Sequence, residues 1–327
     1  MMSIRPFTAG IGWLAAALLP AIPLPALSQA YPDKPVRFIV PFTPGTGPDI
    51  LARTLSEPMS KRLGVPIIVE NKAGASGNIG TDQVAKATPD GYTLLFTVNT
   101  FSMAPALYKP LSFDPVNDFA PVGEIAVGNL ALVVNPALGV NSVADLVALA
   151  KSKPGALNYA SPGNGTPHHL AMELFKQQMG VDIVHVPYKG TAGAVTDVLA
   201  NQVPMMILPV HVALPYAKSG KLRILAVSGD KRSPLAPDLP TFKEAGMPGF
   251  DVDLWYGLLA PAHTPPAVIE RLNQEIAAAL AQSEVRDTLL KQGLIPVTST
   301  PEALGTLIRN DLARWESVVV QGKIKAD

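Results

Sequence analysis

The stretch ASPGNGTPHHLAMELF, Ala160–Phe175, follows the short run LNYA and leads into what reads as the first turns of a helix. A similar segment stands 118 residues earlier (161 minus 43). Thr43-Pro44-Gly45-Thr46-Gly47-Pro48 shares with Ser161-Pro162-Gly163-Asn164-Gly165-Thr166-Pro167 the order hydroxyl, proline, glycine, small polar, glycine. Each copy leaves a strand-like run and opens a helix. Glycine lets backbone N–H groups approach a ligand, and a helix start favours an anion. In open α/β sheets ligands bind beyond the carboxyl ends of strands. Two such loops, one per lobe, would therefore face each other across a cleft. Ordinary strand-to-helix turns use the same ingredients, since a polar N-cap and an early proline need no ligand.

Outward from these loops the chain alternates. VRFIV, IIVE, GYTLLFT, LALVV, LNYA, DIVHV, MMIL and LRILAV read as strands. Between them lie helical patterns from Pro48 to Gly64, from Ile79 to Ala87, and from Ser142, Thr166, Ala192 and near Val212. The last seventy or so residues read as helices at Pro265–Ala281, Glu284–Gln292 and Pro301–Val320. This pattern predicts an α/β fold with parallel sheets covered on both faces. At 327 residues, two domains are expected. The 26 basic and 26 acidic side chains give no basic footprint, so nucleic acid is not an expected partner.

The first thirty residues differ from the rest. Arg5 is the only charged side chain before Asp33, and the apolar run after it closes with Ser28-Gln29-Ala30, small residues suited to signal-peptidase cleavage. Pro20, Pro23 and Pro25 interrupt the run, and no basic stop-transfer cluster follows, which argues against a membrane anchor. The mature chain is expected to start near Tyr31 and to be soluble outside the cytoplasm. Removing Arg5 leaves 25 basic and 26 acidic groups. With no cysteine, the core must hold the protein without disulfides.

Enzyme signatures are missing. GASGN is not a G-x-S-x-G elbow, no phosphate-loop motif occurs, and GNGTPH has His168 where a dinucleotide fingerprint needs glycine. His168 and His169 would point about 100° apart on a helix, so they cannot chelate one metal as an i, i+4 pair does. No enzyme activity, catalytic residue, cofactor or metal is expected.

The segments FTPGTGPDILAR, VENKAGASGNIGTDQVAKATPDGYTLL, LSFDPVNDFAPV, YASPGNGTPHHLAMELF, VPYKG and GKLRILAVS together resemble the Bug, or TctC-like, receptors of tripartite tricarboxylate transporters. The resemblance covers Tyr31–Asp327. It implies a two-domain Venus-flytrap fold of type II-like periplasmic-binding-protein form, crossed twice by the chain. It also implies a small carboxylate in the cleft and membrane transporter subunits as partners. The domains implied are 31–125 plus 253–327, and 126–252, in a chain expected to be a monomer.

Carried over by position, Thr43, Gly45, Thr46, Gly47 and Asp49 form the first loop, and Asn99 and Thr100 face the same cleft. Ser161, Gly163, Asn164, Gly165, Thr166 and His169 form the second loop, with Tyr188 as a wall. Asp49 reads as a helix-start residue engaging backbone donors, because a carboxylate there would repel an acid. Many relatives have Gly-Gly at Gly45-Thr46, and an acidic residue where this chain has Pro209. The missing acid weakens the case for an amino-acid ligand. A periplasmic sensor for a signalling system and a secreted hydrolase stand as alternatives.

Overall fold

The computed structural model describes residues 31–325, and the segment read as a signal peptide lies outside them. The β-branched run VRFIV forms β1 (Val36–Val40), buried along nearly all its length. Its loop feeds α1 (Gly47–Leu63), whose Leu51, Leu55, Met59 and Leu63 recur every four residues and bury one stripe. Gly64, at φ 77°, ends the helix in the left-handed conformation that glycine adopts at least cost.

The chain continues through β2 (Ile67–Asn71), α2 (Asn78–Ala85), β3 (Thr93–Val98), α3 (Thr100–Leu107) and β4 (Phe119–Gly128). Next come β5 (Leu130–Val134), α4 (Val143–Ser152), β6 (Leu157–Ser161), α5 (Pro167–Met179) and β7 (Ile183–Pro187). Then follow α6 (Thr191–Leu199), β8 (Met205–Pro209), α7 (Val210–Lys218) and β9 (Arg223–Val227). The chain closes with β10 (Leu254–Pro261), α8 (Pro266–Leu280), α9 (Ser283–Lys291), β11 (Ile295–Pro296) and α10 (Pro301–Gly322).

Two sheets result. The first has the order β11-β4-β10-β3-β1-β2 and the second β7-β6-β8-β5-β9. The expectation of parallel sheets needs correction, because both are mixed. β1 lies parallel to β2 and β3, but β10 runs antiparallel to β3 and β4. In the second sheet β6 is parallel to β7 and β8, whereas β5 is antiparallel to β8 and β9. Parallel neighbours need a long crossover, usually a helix. β5 follows β4 after one residue and β10 arrives from the second sheet, so neither has such a crossover.

The two crossings are strapped together. Asn129 alone joins β4 to β5, and its side-chain amide donates to Asp253 Oδ1 at 3.0 Å. The Ser228 hydroxyl also bonds Asp253 Oδ1 and accepts Leu130 N–H at 2.7 Å. Helix α10 packs on α3 and β4 of the first sheet and on α5 of the second. Gln177 Nε2 of α5 donates to Val318 O of α10 at 3.0 Å. One apolar core runs through both sheets, with Phe38 and Phe96 at one end, Tyr159 and Phe175 at the other, and Trp315 of α10 among them.

Candidate ligand-binding site

Thr43 follows β1 of the first sheet and Ser161 ends β6 of the second, so the paired loops belong to different sheets. Their helix starts are built alike. Thr46 stands at the N-cap position of α1 and its hydroxyl donates to Thr43 O at 2.9 Å; Thr166 stands at that of α5, donates to Gly163 O at 2.8 Å and also accepts His169 N–H at 3.4 Å. The preceding glycines both have positive φ, 83° at Gly45 and 69° at Gly165. Each N–H is captured four residues on, Gly45 by Asp49 Oδ2 at 2.9 Å and Gly165 by His169 Nδ1 at 3.0 Å. Equivalent residues thus stand 120 apart (166 minus 46), correcting the 118 of the sequence match. The capping threonine sets the turn, because its hydroxyl closes on the carbonyl three residues back.

The shared acceptor position carries different chemistry in the two loops. Asp49 is buried and holds Arg53 Nε at 3.0 Å and Asn71 Nδ2 at 2.9 Å. Burial alone would raise its pKa, but hydrogen bonds from Arg53, Gly45 and Asn71 outweigh that and hold it below the usual carboxylate range. His169 is buried against His185, ring centroids 3.8 Å apart and 11° from parallel. Burial first, then repulsion from His185 and Lys176, pushes its pKa down to about 3. A neutral imidazole therefore does in the second loop what a carboxylate does in the first.

Several expected residues are framework here. Ser161 is fully buried; its Oγ accepts Gly163 N–H at 3.1 Å and lies 2.6 Å from His185 Nε2. Asn99 stands buried at the N-cap position of α3 without a side-chain cap bond, and its Nδ2 donates to Asp253 O at 3.2 Å, tying this helix start to the chain crossings. The Tyr188 hydroxyl bonds Asp197 at 2.6 Å; partial burial and that carboxylate raise its pKa to about 12. A Cβ on Gly47 would fall 2.7 Å from the Tyr256 ring, so only glycine fits there without displacement.

A cavity of about 200 Å³ opens where α3 and α5 begin. Thr100, Asn164, Gly165 and Thr166 border it, and these are the expected residues that the structure brings together. Thr43, Gly45, Thr46, Gly47, Asp49, Asn99, Ser161, Gly163, His169 and Tyr188 are not on its border. Phe42, Ser76, Met103, Leu107 and Tyr108 line it as well, and sequence reasoning missed them. Ser76 lay inside the Gly-rich segment read only as a break; its positive φ of 56° marks a shaped turn. The lobes meet beside the cavity, where a Cβ on Gly165 would come within 2.9 Å of Leu107 Cδ1. Larger hollows of about 620 and 580 Å³ are each bordered by elements around one sheet only. The 200 Å³ cavity is bordered from both.

Two lobes around mixed sheets, joined by a strapped double crossing and enclosing a cavity at the starts of α3 and α5, define a two-domain solute-binding protein. The chain belongs to the family described as "Tripartite tricarboxylate transporter family receptor", whose profile matches residues 51–323. It is 37% identical to protein BugT of Bordetella pertussis over 91% of this chain and 92% of that one. Among solved structures it resembles an R. palustris protein determined with adipate, at 35% identity and TM-score 0.75, covering 91% of this chain and all of that one. It also resembles MatC from Rhodopseudomonas palustris with bound malate, at 33% identity and TM-score 0.72, over 88% of this chain and all of that one. Among the described residues no helix is long and apolar enough to cross a membrane.

Proposed function

We propose that this protein is a periplasmic receptor, cleaved from its signal segment near Tyr31. It closes on a small carboxylate and delivers it to the membrane subunits of a tripartite tricarboxylate-type transporter. The observation that carries this reading is the cavity bordered by the starts of α3 and α5, where the two helix dipoles favour an anion. Thr100, Asn164, Gly165 and Thr166 meet the ligand. Gly45, Thr46, Gly47 and Gly163 shape the loops, with Thr43 O anchoring the first; Asp49, Asn99, Ser161 and His169 hold the framework, and Tyr188 braces the second loop. The lobes proposed are 31–125 with 253–327, and 126–252, which strand membership supports to within a few residues. The protein works as a monomer and catalyses no reaction on its ligand. Adipate and malate bound to relatives of similar length support the carboxylate class.

A thermal-shift screen of mono-, di- and tricarboxylates tests the proposal. Ligand at 100 times its dissociation constant is expected to stabilise the protein by about 2.7 kcal/mol, and the acid should be recovered unchanged. If no carboxylate shifts the melting temperature, or the acid is turned over, the receptor reading fails.

A further inference from the structure

The second loop hangs from a stack of three rings. Tyr159 of β6 pairs in register with His185 of β7, their ring centroids 4.9 Å apart and 20° from parallel. On its other side His185 meets His169 at 3.8 Å. The far end of the stack is fixed as well: the Tyr159 hydroxyl donates to Glu173 Oε1 at 2.6 Å, and Lys176 Nζ reaches the same oxygen at 2.7 Å. Two of the rings hold the loop. His169 Nδ1 accepts Gly165 N–H, and His185 Nε2 lies 2.6 Å from Ser161 Oγ. That hydroxyl oxygen in turn stands 3.1 Å from both the N and the O of Gly163.

A hydroxyl has one proton to donate and two lone pairs to accept with. If Ser161 gives its proton to Gly163 O, it can still accept Gly163 N–H and one donor from the ring. All three contacts are satisfied together only when His185 carries a proton on Nε2. A serine that donated to the ring instead would leave Gly163 O to Thr166. Anchoring Gly163 and Gly165 fixes Asn164 between them, and Asn164 borders the cavity. His185 is not on that border, so any influence it has on a ligand passes through the loop.

Resting on the carboxylate-receptor reading, we propose that His185 is a positioning residue for ligand binding. As the Nε2–H tautomer it donates to Ser161, and through Ser161 it presets Gly163 and the neighbouring Asn164.

Two substitutions separate the ring from the hydrogen bond. His185→Phe keeps the stack and removes the donor, whereas His185→Gln keeps an N–H donor and removes the ring. Nitrogen NMR of the parent is expected to show the Nε2–H tautomer at His185; the Nδ1–H tautomer overturns the proposal. Amide hydrogen exchange at Gly163 is expected to quicken about tenfold in His185→Phe and to stay near the parent in His185→Gln, with Gly45 of the first loop unchanged in both. Calorimetry with malate or adipate, whichever the parent binds more tightly, should give the same ranking, with about tenfold weaker binding in His185→Phe. Ser161→Ala should lose as much as His185→Phe, and the double variant no more than either. Additive losses, or a His185→Gln variant as weak as His185→Phe, would assign the effect to packing and overturn the proposal. A parent that binds neither acid counts against the receptor reading, and the tautomer and exchange results then decide the positioning role by themselves.

Discussion

At the residue scale, Gly165 and His169 carry the sharpest expectations. Gly165 combines a positive φ with a Cβ direction blocked by Leu107 of the opposite lobe. Gly165→Val is expected to abolish carboxylate binding by calorimetry, since it strains the loop and wedges the lobes apart. Binding at the parent's affinity would make this loop an ordinary turn. His169 offers a subtler test. His169→Asp copies the acceptor of the first loop but sets a negative charge at the start of α5, beside the cavity. A repulsion of a kcal/mol or two at short range should weaken carboxylate binding by about tenfold or more. His169→Asn keeps a neutral acceptor and should bind nearly as the parent does. Equal affinity in the two variants would show that charge at this position does not reach the ligand.

At the element scale, Glu124 within β4 and Asp253 just before β10 are partly buried acids that make stability depend on pH. Burial first, then Asp253, Asp251 and Asp311, raises Glu124 of β4 to a pKa of about 7. Burial likewise raises Asp253 to about 6, against hydrogen bonds from Ser228 and Asn129 and with repulsion from Asp251 and Asp230. A carboxyl with a raised folded pKa favours the folded state while protonated, and that contribution disappears as pH rises through the folded value. Glu124→Gln is therefore expected to raise the melting temperature at pH 8, by about 2–4 °C per kcal/mol, with a smaller gain near pH 5.5. An equal gain at both pH values would assign the effect to packing. His168 acts in the opposite sense: burial alone lowers its pKa to about 4, and neither ring nitrogen has a partner among the described residues. Its contribution is present above the ordinary histidine value and is lost as pH falls toward 4. His168→Leu should flatten the acid limb of the stability curve between about pH 6.5 and 4.

The same elements show what sequence could and could not disclose. Strands made of β-branched runs, such as β1, β5 and β9, and helices with a clear N-cap, such as α4 at Ser142 and α5 at Thr166, were legible because local chemistry specifies them. β4 was hidden by Pro121, Gly123 and Glu124 in its middle, and β10 by Gly257; pairing with each other overrides these weak propensities. α3 carries Pro105 and little amphipathic pattern, so its cavity-lining Met103 and Leu107 had no periodic signal. The ligand loops announced themselves through glycines and hydroxyls. The carbon wall facing them did not, since only tertiary packing brings Phe42, Ser76 and α3 to one place.

At the scale of the whole molecule, the shared core sets the cooperativity. Tyr159 and Phe175 of the second lobe belong to the same apolar cluster as Phe38 and Phe96 of the first, with Trp315 of α10 among them. Mature protein is accordingly expected to unfold in one thermal transition, with calorimetric and van't Hoff enthalpies in agreement. Two resolved transitions would mean that the lobes melt independently and that α10 fails to couple them.

The near-contact of Leu107 with Gly165 also has a practical use. The chain has no thiol of its own, so one cysteine introduced at position 107 can be labelled uniquely with an environment-sensitive dye. The dye would sit where the lobes meet, its emission changing as they part or close. The feature that narrows the cleft thus makes the protein a scaffold for an optical sensor of small organic acids.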